Sequence, residues 1–332
     1  MNFVRTIATI NINAIAVHAK KMMLKEFVEK NDIDIVLLQE VHFDDFSFVH
    51  THEALVNIGM TNKGTAILIR KTLKVSNLLM DPGGRIISIL VDGLNIVNVY
   101  GHSGSQYRAD RESMFTESIA VHFKKSGTSN NFLAGDFSCV LEPIDCRGKM
   151  YNFSSELKAA VESLELLDVA IGHKGWKREY TFFRGDSASR LDRIYVSKNL
   201  FSEVNQCRTI PVAFSDHHAV IIKCKIPSNQ LPIVNGRGYW KINEYLLNNL
   251  AIQEQFKIEY EKLKERRKFT DSFSEWWSYD LKRKIKQFYK QKSFELNTAN
   301  RRKKDVWLTK LNDLCEKQKN GEKLSDEISV GN

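Results

Sequence analysis

The chain has 332 residues, 42% of them hydrophobic and 10% aromatic, which is enough apolar side chain for a sizeable core and excludes wholesale disorder. Ile33 to Leu38, apolar but for Asp34, is strand-sized, and no uninterrupted apolar run exceeds four residues, far short of the roughly 18 a membrane span needs. The charge divides unevenly: residues 1–230 carry 27 Lys and Arg against 25 Asp and Glu, net +2, and residues 231–332 carry 22 against 15, net +7. A basic carboxyl-terminal third suits a polyanionic partner, though a solvated helical face carries the same signature.

From Asn2 to about Ile226 the chain alternates β-rich segments with amphipathic ones. Thr6 to Asn11 is β-branched and apolar, Ala19 to Glu29 has helical spacing, and Ile33 to Leu38 reads as a buried strand. Thr65 to Arg70, Ile86 to Val91 and Asn95 to Tyr100 are further strands, bounded by turn signals such as Asp81-Pro82-Gly83-Gly84 and Asp92-Gly93. Arg111 to Lys124 reads as helix, Asn131 to Ala134 as strand and Ser155 to Leu166 as helix. Tyr180 to Phe183 and Leu191 to Val196 flank a hairpin tip at Arg184 to Ser187, and His218 to Cys224 is the last strand. Hairpins mixed with helices favour a two-layered β core covered by helices over a simple βαβ wind. A break follows at Pro227, Pro232, Gly236 and Gly238. Beyond it, Asn243 to about Leu314 reads as two or three long helices, with a frayed tail after Lys317.

The amino terminus, Met1-Asn2-Phe3-Val4-Arg5, does not read as a signal peptide. Five cysteines, an odd number without C-x-x-C spacing, argue against a disulfide framework or structural zinc and for reduced thiols in a cytosolic or nuclear protein.

Several polar residues sit where apolar ones are expected. Glu40 ends the apolar run Ile35-Val36-Leu37-Leu38-Gln39-Glu40, and a carboxylate there needs a partner, a cation or an exposed strand end. Asp136 emerges after Gly135 at the end of another apolar strand, as catalytic groups and ordinary turns both do. Asp192 lies inside a strand pattern, where it can pair with Arg190 or Arg193 or orient a histidine. Ser215-Asp216-His217-His218 supplies the histidine, and a carboxylate on one imidazole nitrogen fixes the tautomer and raises basicity. Asn11, in Ile10-Asn11-Ile12-Asn13, puts amides into a strand. Tyr100 by itself is an aromatic core residue. Trp240, Trp276 and Trp277 read as helix packing before they read as nucleic-acid contacts.

As an ordered set, Asn-x-Asn, Gln-Glu, Asn-x-Tyr, Gly-Asp-Phe, Leu-Asp-Arg-Ile and Ser-Asp-His resemble the endonuclease/exonuclease/phosphatase superfamily. Gln39-Glu40, Tyr180 to Phe183 and Ser189 to Tyr195 look like the apurinic-type endonuclease domain of non-LTR (LINE-type) retrotransposon polyproteins, and so does Gly238 to Asn243, which is similar to the segment after it. The resemblance covers residues 5 to 226 most strongly. It implies a four-layered α/β sandwich, two packed mixed β-sheets flanked by helices, over 1–226. A linker over 227–242 and a basic helical region over 243–332, leading toward an absent reverse transcriptase, would complete what looks like a truncated polyprotein.

The resemblance also implies roles. Glu40 and Asn11 would hold Mg²⁺ (or Mn²⁺ in its place), with Asp216 close by and Asn13 as a supporting ligand. Asp136 would orient or deprotonate the attacking water, His217 and Asp192 would face the phosphate from the other side, and Tyr100 would bond a phosphate oxygen. The hairpin from Tyr180 to Ile194 would lie against the DNA minor groove, with Thr181, Arg184, Ser138 and Arg190 as DNA contacts. The expected activity is a Mg²⁺-dependent nick leaving a 3′-hydroxyl, as in target-primed retrotransposition, by a nuclear protein. DNA is the expected partner and element RNA a further one through the basic tail, with no membrane and no small-molecule cofactor. Two departures matter. Ser138 stands where the family usually has Asn, and Gly101-His102-Ser103 follows Tyr100 where relatives carry Ala-Pro or Val-Pro. A missing polar group at the phosphate costs on the order of 10²-fold in rate, so the alternative is a catalytically weakened nucleic-acid-binding relic. A phosphoester phosphatase of the same superfamily is the third reading.

Overall fold

The computed structural model describes residues 2–15, 17–59, 64–148, 152–172, 178–227, 242, 244–269 and 272–319. The chain divides into two compact units, one over 1–233 and 315–332 and one over 234–314, so that the last helix, Lys282–Lys319, lies in the second for all but its final turn.

The first unit is built on two mixed sheets. One has the order β14 (Val204–Ile210), β15 (Ala219–Pro227), β1 (Asn2–Asn11), β2 (Ile35–Val41), β4 (Gly64–Arg70) and β3 (His52–Asn57). The other has the order β10 (Leu166–Asp168), β13 (Asp192–Ser197), β8 (Asn131–Asp136), β7 (Leu94–Tyr100), β6 (Ile86–Val91) and β5 (Val75–Met80). In each sheet two central strands run parallel, β1 with β2 and β7 with β8, and their neighbours antiparallel.

Strand β2 is apolar on both faces because both are covered. Its Ile35 and Leu37 enter the core between the sheets, with Ile7, Ile67, Ile96, Phe132 and Ile194. Its Val36 and Leu38 turn outward and pack under helix α1 (His18–Lys30) through Leu24, Phe27 and Val28. The other sheet is covered by α2 (Arg108–Ser113) and α3 (Ile119–Lys124), joined by a π turn, and by α4 (Ser155–Ser163). Met114, Phe115, Ile119, Leu157 and Val161 pack there on Val97, Val99 and Leu133. Helix, sheet, sheet, helix is the four-layered sandwich expected.

Some boundaries differ from the expectations. The helix expected over Ser155–Leu166 stops at Ser163, and Leu166 starts an edge strand pairing with Ser197. Strands β3, β5 and β14 went unread because their exposed edges carry polar residues that dilute the apolar pattern. The hairpin is also smaller than expected. Its return strand is β12 (Ser187–Ser189), paired with β11 (Phe182–Arg184) and with the short β9 (Cys146–Arg147). Asp192 to Val196 turns away from it into the core sheet beside β8.

In the second unit, helices over Leu250–Arg266 and Lys282–Lys319 carry the basic residues. Trp276 is buried and donates its indole N–H to the Leu263 carbonyl at 2.9 Å, whereas Trp277 is exposed. Trp240, most of Gly238–Asn243 and the tail beyond Lys319 lie outside the described residues.

Candidate active site

The core between the sheets turns polar at one end. Along β1 the inward positions run Ile7, Thr9, Asn11; along β2, Ile35, Leu37, Gln39; along β7, Ile96, Asn98, Tyr100; along β8, Phe132, Ala134, Asp136. Strand β13 runs the other way and starts on Asp192. Tyr100, Asp136 and Asp192 therefore stand in one row across three strands, because Asp136 is the register partner of both others. Gln39 and Asn98 lock the two sheets beneath this row. Gln39 Nε2 donates to Asn98 Oδ1 at 2.7 Å and to Thr9 Oγ1 at 2.9 Å, while Asn98 Nδ2 donates to the Leu38 and Ala66 carbonyls.

Asp136 is buried, and both its oxygens accept hydrogen bonds: Oδ2 from Asn11 Nδ2 at 2.9 Å and Oδ1 from the Ser138 amide at 2.8 Å. Burial raises its pKa, with the neighbouring His217 acting against the rise. Gly135 makes the row possible. Its φ is +145°, and a Cβ there would meet the Val99 carbonyl.

His217 Nδ1–H donates to Asp192 Oδ2 at 2.8 Å, and the pair is buried. Burial lowers the imidazole pKa, but the Asp192 charge and hydrogen bond, with Asp136 and Asp216 nearby, prevail and push it up to about 9. The ring is thus a cation at neutral pH. Asp192 pairs with neither flanking arginine. Arg190 is bound to Asp145 and Asp168, and Arg193 to Asp145 and the Cys139 carbonyl. Of the two readings of Asp192, the histidine-orienting one matches the geometry.

Glu40 sits at a bulge in β2, where the pairing with β4 shifts between Gln39 and Val41. Its φ is +57°, the left-handed region that a bulge uses to re-aim a side chain. The carboxylate is half-buried and has no hydrogen-bond or ion-pair partner among the described residues. It lies close enough to help burial raise the Tyr100 pKa, together with Asp136. Tyr100 is buried beneath the Arg85 guanidinium, 4.4 Å from its ring centroid. Across the mouth, Asp216 is exposed and accepts from Asn13 Nδ2 at 2.9 Å, and Ser215 Oγ donates to the Asn11 carbonyl at 2.7 Å. The site thus brings Asn11, Asn13, Glu40, Tyr100, Asp136, Asp192, Asp216 and His217 to one end of the sandwich.

The expected DNA contacts fare differently. Arg184 is exposed beside the hairpin turn. Thr181 is buried, and its Oγ1 accepts from the Leu191 and Asp192 amides, both at 3.0 Å, so it fixes the strand that carries Asp192. Ser138 is buried with φ +50°, and its hydroxyl donates to the Gly101 carbonyl at 3.1 Å. Arg190 does not face solvent. It is 2% exposed, and its guanidinium is committed to Asp145 and Asp168, which anchors the hairpin's base. Arg85 went unread in the sequence. Its carbonyl, just before β6, accepts from the Tyr100 amide at 2.8 Å, and this register sets its guanidinium over the Tyr100 ring.

Asp136, Asp192 and His217 offer ligand atoms within 4.8 Å of one another, an acidic group that could hold a metal ion. Most of those atoms already bond to Asn11, Ser138 or each other. Glu40, with its unpartnered carboxylate next to further acids, fits a hard cation better.

The fold and this constellation define a class. A family profile described as the endonuclease/exonuclease/phosphatase family matches residues 8–217, and the chain belongs to that family. Among relatives, it is 28% identical over 194 residues to the Transposon TX1 uncharacterized 149 kDa protein of Xenopus laevis. That match covers 55% of this chain but 14% of the relative. Among solved structures, the fold is similar to a 3′-5′ exonuclease (NExo) of Neisseria meningitidis, with TM-score 0.57, 21% identity, and 66% and 99% of the two chains covered. It is similar also to AP endonuclease LMAP of Leishmania major, with TM-score 0.57, 16% identity, and coverage of 68% and 88%. The endonuclease domain of TRAS1, a telomere-specific non-LTR retrotransposon, matches with TM-score 0.51, 15% identity, and coverage of 66% and 98%. The resemblance read from the ordered motifs is borne out.

Proposed function

We propose that this protein is a divalent-metal-dependent endonuclease that nicks DNA and leaves a 3′-hydroxyl, as the first step of target-primed retrotransposition. The observation that carries the reading is the row Tyr100, Asp136 and Asp192 with His217 bonded to Asp192. Asp136 is an acceptor held by Asn11 and the Ser138 amide, placed to orient a water and take its proton. Cationic His217 neutralises charge building on the phosphate, and Asp192 keeps its ring in place. Tyr100, kept a neutral phenol, donates to a non-bridging oxygen. The water oxygen bonds to phosphorus as the bond to the 3′ oxygen breaks; that oxygen takes a proton from a solvent water, and Asp136 returns the proton it took to solvent. Glu40, Asn11 and Asp216 would hold Mg²⁺, which when bound supplies charge neutralisation at the phosphate.

The exposed hairpin turn with Arg184 is suited to a DNA groove, and the basic helices to sequence-independent attraction of DNA or element RNA. Chromosomal DNA as substrate implies a nuclear site of action. The test is the chemistry of the ends. Nicks made in plasmid should be extended by a DNA polymerase without prior repair, and Asp192→Asn should remove them. Ends that extend only after phosphatase treatment would contradict the 3′-hydroxyl.

Ser138 favours a second reading, a weakened relic, since its hydroxyl is turned to the Gly101 carbonyl. Asparagine tolerates the left-handed backbone at 138, so Ser138→Asn should raise the nicking rate, by about 10²-fold at most. No gain means that serine is already accommodated.

A further inference from the structure

The outer face of the second sheet carries a cleft of about 340 Å³ that the chemistry above does not use. It opens where edge strand β5 leaves its ladder: the pairing with β6 shifts between Ser76 and Leu79, and Asn77 has φ +50°. Its floor is polar where a helix-covered sheet face is usually apolar. Ser88 Oγ lies 2.7 Å from His122 Nδ1, and Asn95 Nδ2 donates to Asn131 Oδ1 at 2.9 Å. Asn95 begins β7 and Tyr100 ends it. At about 3.4 Å per residue the cleft lies roughly 17 Å from the catalytic row.

His122 is 4% exposed, and its second ring nitrogen, Nε2, bonds no protein group among the described residues and is open to the solvent of the cleft that His122 lines. Burial, helped by Lys125, lowers its pKa to about 4, so the ring is neutral and offers either a donor or an acceptor. Leu78, Leu79 and Leu90 supply apolar walls for a flat ring, and Lys125 supplies a cation at the rim. One cation suits a single anionic group rather than a polyanion, and the volume falls in the range of small-ligand sites.

We propose that this cleft binds a nucleoside monophosphate, its heterocycle edge on Ser88, His122 and Asn95 and its phosphate on Lys125. A free nucleotide and a nucleotide within a strand share that chemistry, and the cleft fits the free one.

The test is titration of the full chain with AMP, GMP, CMP and UMP, with inorganic phosphate and with a short oligonucleotide, followed by the His122 ring resonances. One or more mononucleotides should saturate below about 1 mM, shifting the His122 signals, and Lys125→Glu, an exposed change that spares the fold, should weaken binding about tenfold or more. Ser88→Ala should weaken it without altering phosphate affinity. Glu40→Ala should bind as the unaltered chain does, so that a failure of the proposed catalysis leaves this result intact. No His122 response by about 10 mM, or phosphate binding as tightly as every nucleotide, would overturn the proposal. A response confined to the oligonucleotide would overturn it too.

Discussion

At the scale of single residues, Glu40 carries the sharpest consequence. A non-glycine residue held at φ +57° stores on the order of 1–3 kcal/mol of backbone strain, and here the strain aims a carboxylate that no group among the described residues satisfies. Glu40→Gly separates backbone from function. The variant should be as stable as the parent or more so by up to about 1 kcal/mol in urea, bind plasmid as before and no longer nick it. Retained nicking would remove Glu40 from the metal site. His122 gives a pH prediction. Its folded pKa, about 4, lies below the ordinary histidine value of about 6.5. The stability it contributes is complete above about pH 6.5 and is lost as pH falls toward 4, by at most about 1.4 kcal/mol per pH unit. Urea midpoints at pH 7 and pH 5 should therefore differ less in His122→Gln than in the unaltered chain. Equal differences would mean that His122 is not buried as a neutral ring.

At the scale of elements, the catalytic loops hang on a buried charge cluster. Asp145 Oδ1 accepts from Arg190 Nε at 3.0 Å and Oδ2 from Arg193 Nη2 at 3.2 Å, while Arg193 also holds the Cys139 carbonyl, just beyond Asp136. Burial works against the Asp145 charge, but Arg193 and Arg190 hold its pKa below the usual carboxylate range. Asp145→Ala leaves two arginines, 2% and 1% exposed, without their shared counter-charge, and should cost about 3–5 kcal/mol in a denaturant melt. A loss under about 1 kcal/mol would mean the arginines find other partners or water. This cluster was not legible in the sequence. Asp145, Asp168 and Arg178 are scattered acids and bases there, and only the folding of β9 against the hairpin brings them together. Strand β2, buried on both faces, was readable because nothing polar interrupts it until the site begins at Gln39. The hairpin's true return strand, Ser187–Ser189, was not, since two serines and an alanine carry no β signal.

At the scale of the whole molecule, the site is the polar end of an otherwise apolar sandwich. Five strands switch from apolar to polar at the same level, and this coincidence is what the ordered motifs recorded one strand at a time. Asn11, Glu40, Tyr100, Asp136, Asp192 and His217 could therefore be picked out from the chain. Arg85, whose place depends on register alone, could not. The direct test of the central claim is nicking of supercoiled plasmid by the purified chain with Mg²⁺, with EDTA and with His217→Ala. Open circles that require both Mg²⁺ and His217 are the predicted result. Intact plasmid from a folded, DNA-binding chain, or nicking that survives EDTA or the loss of His217, would contradict it.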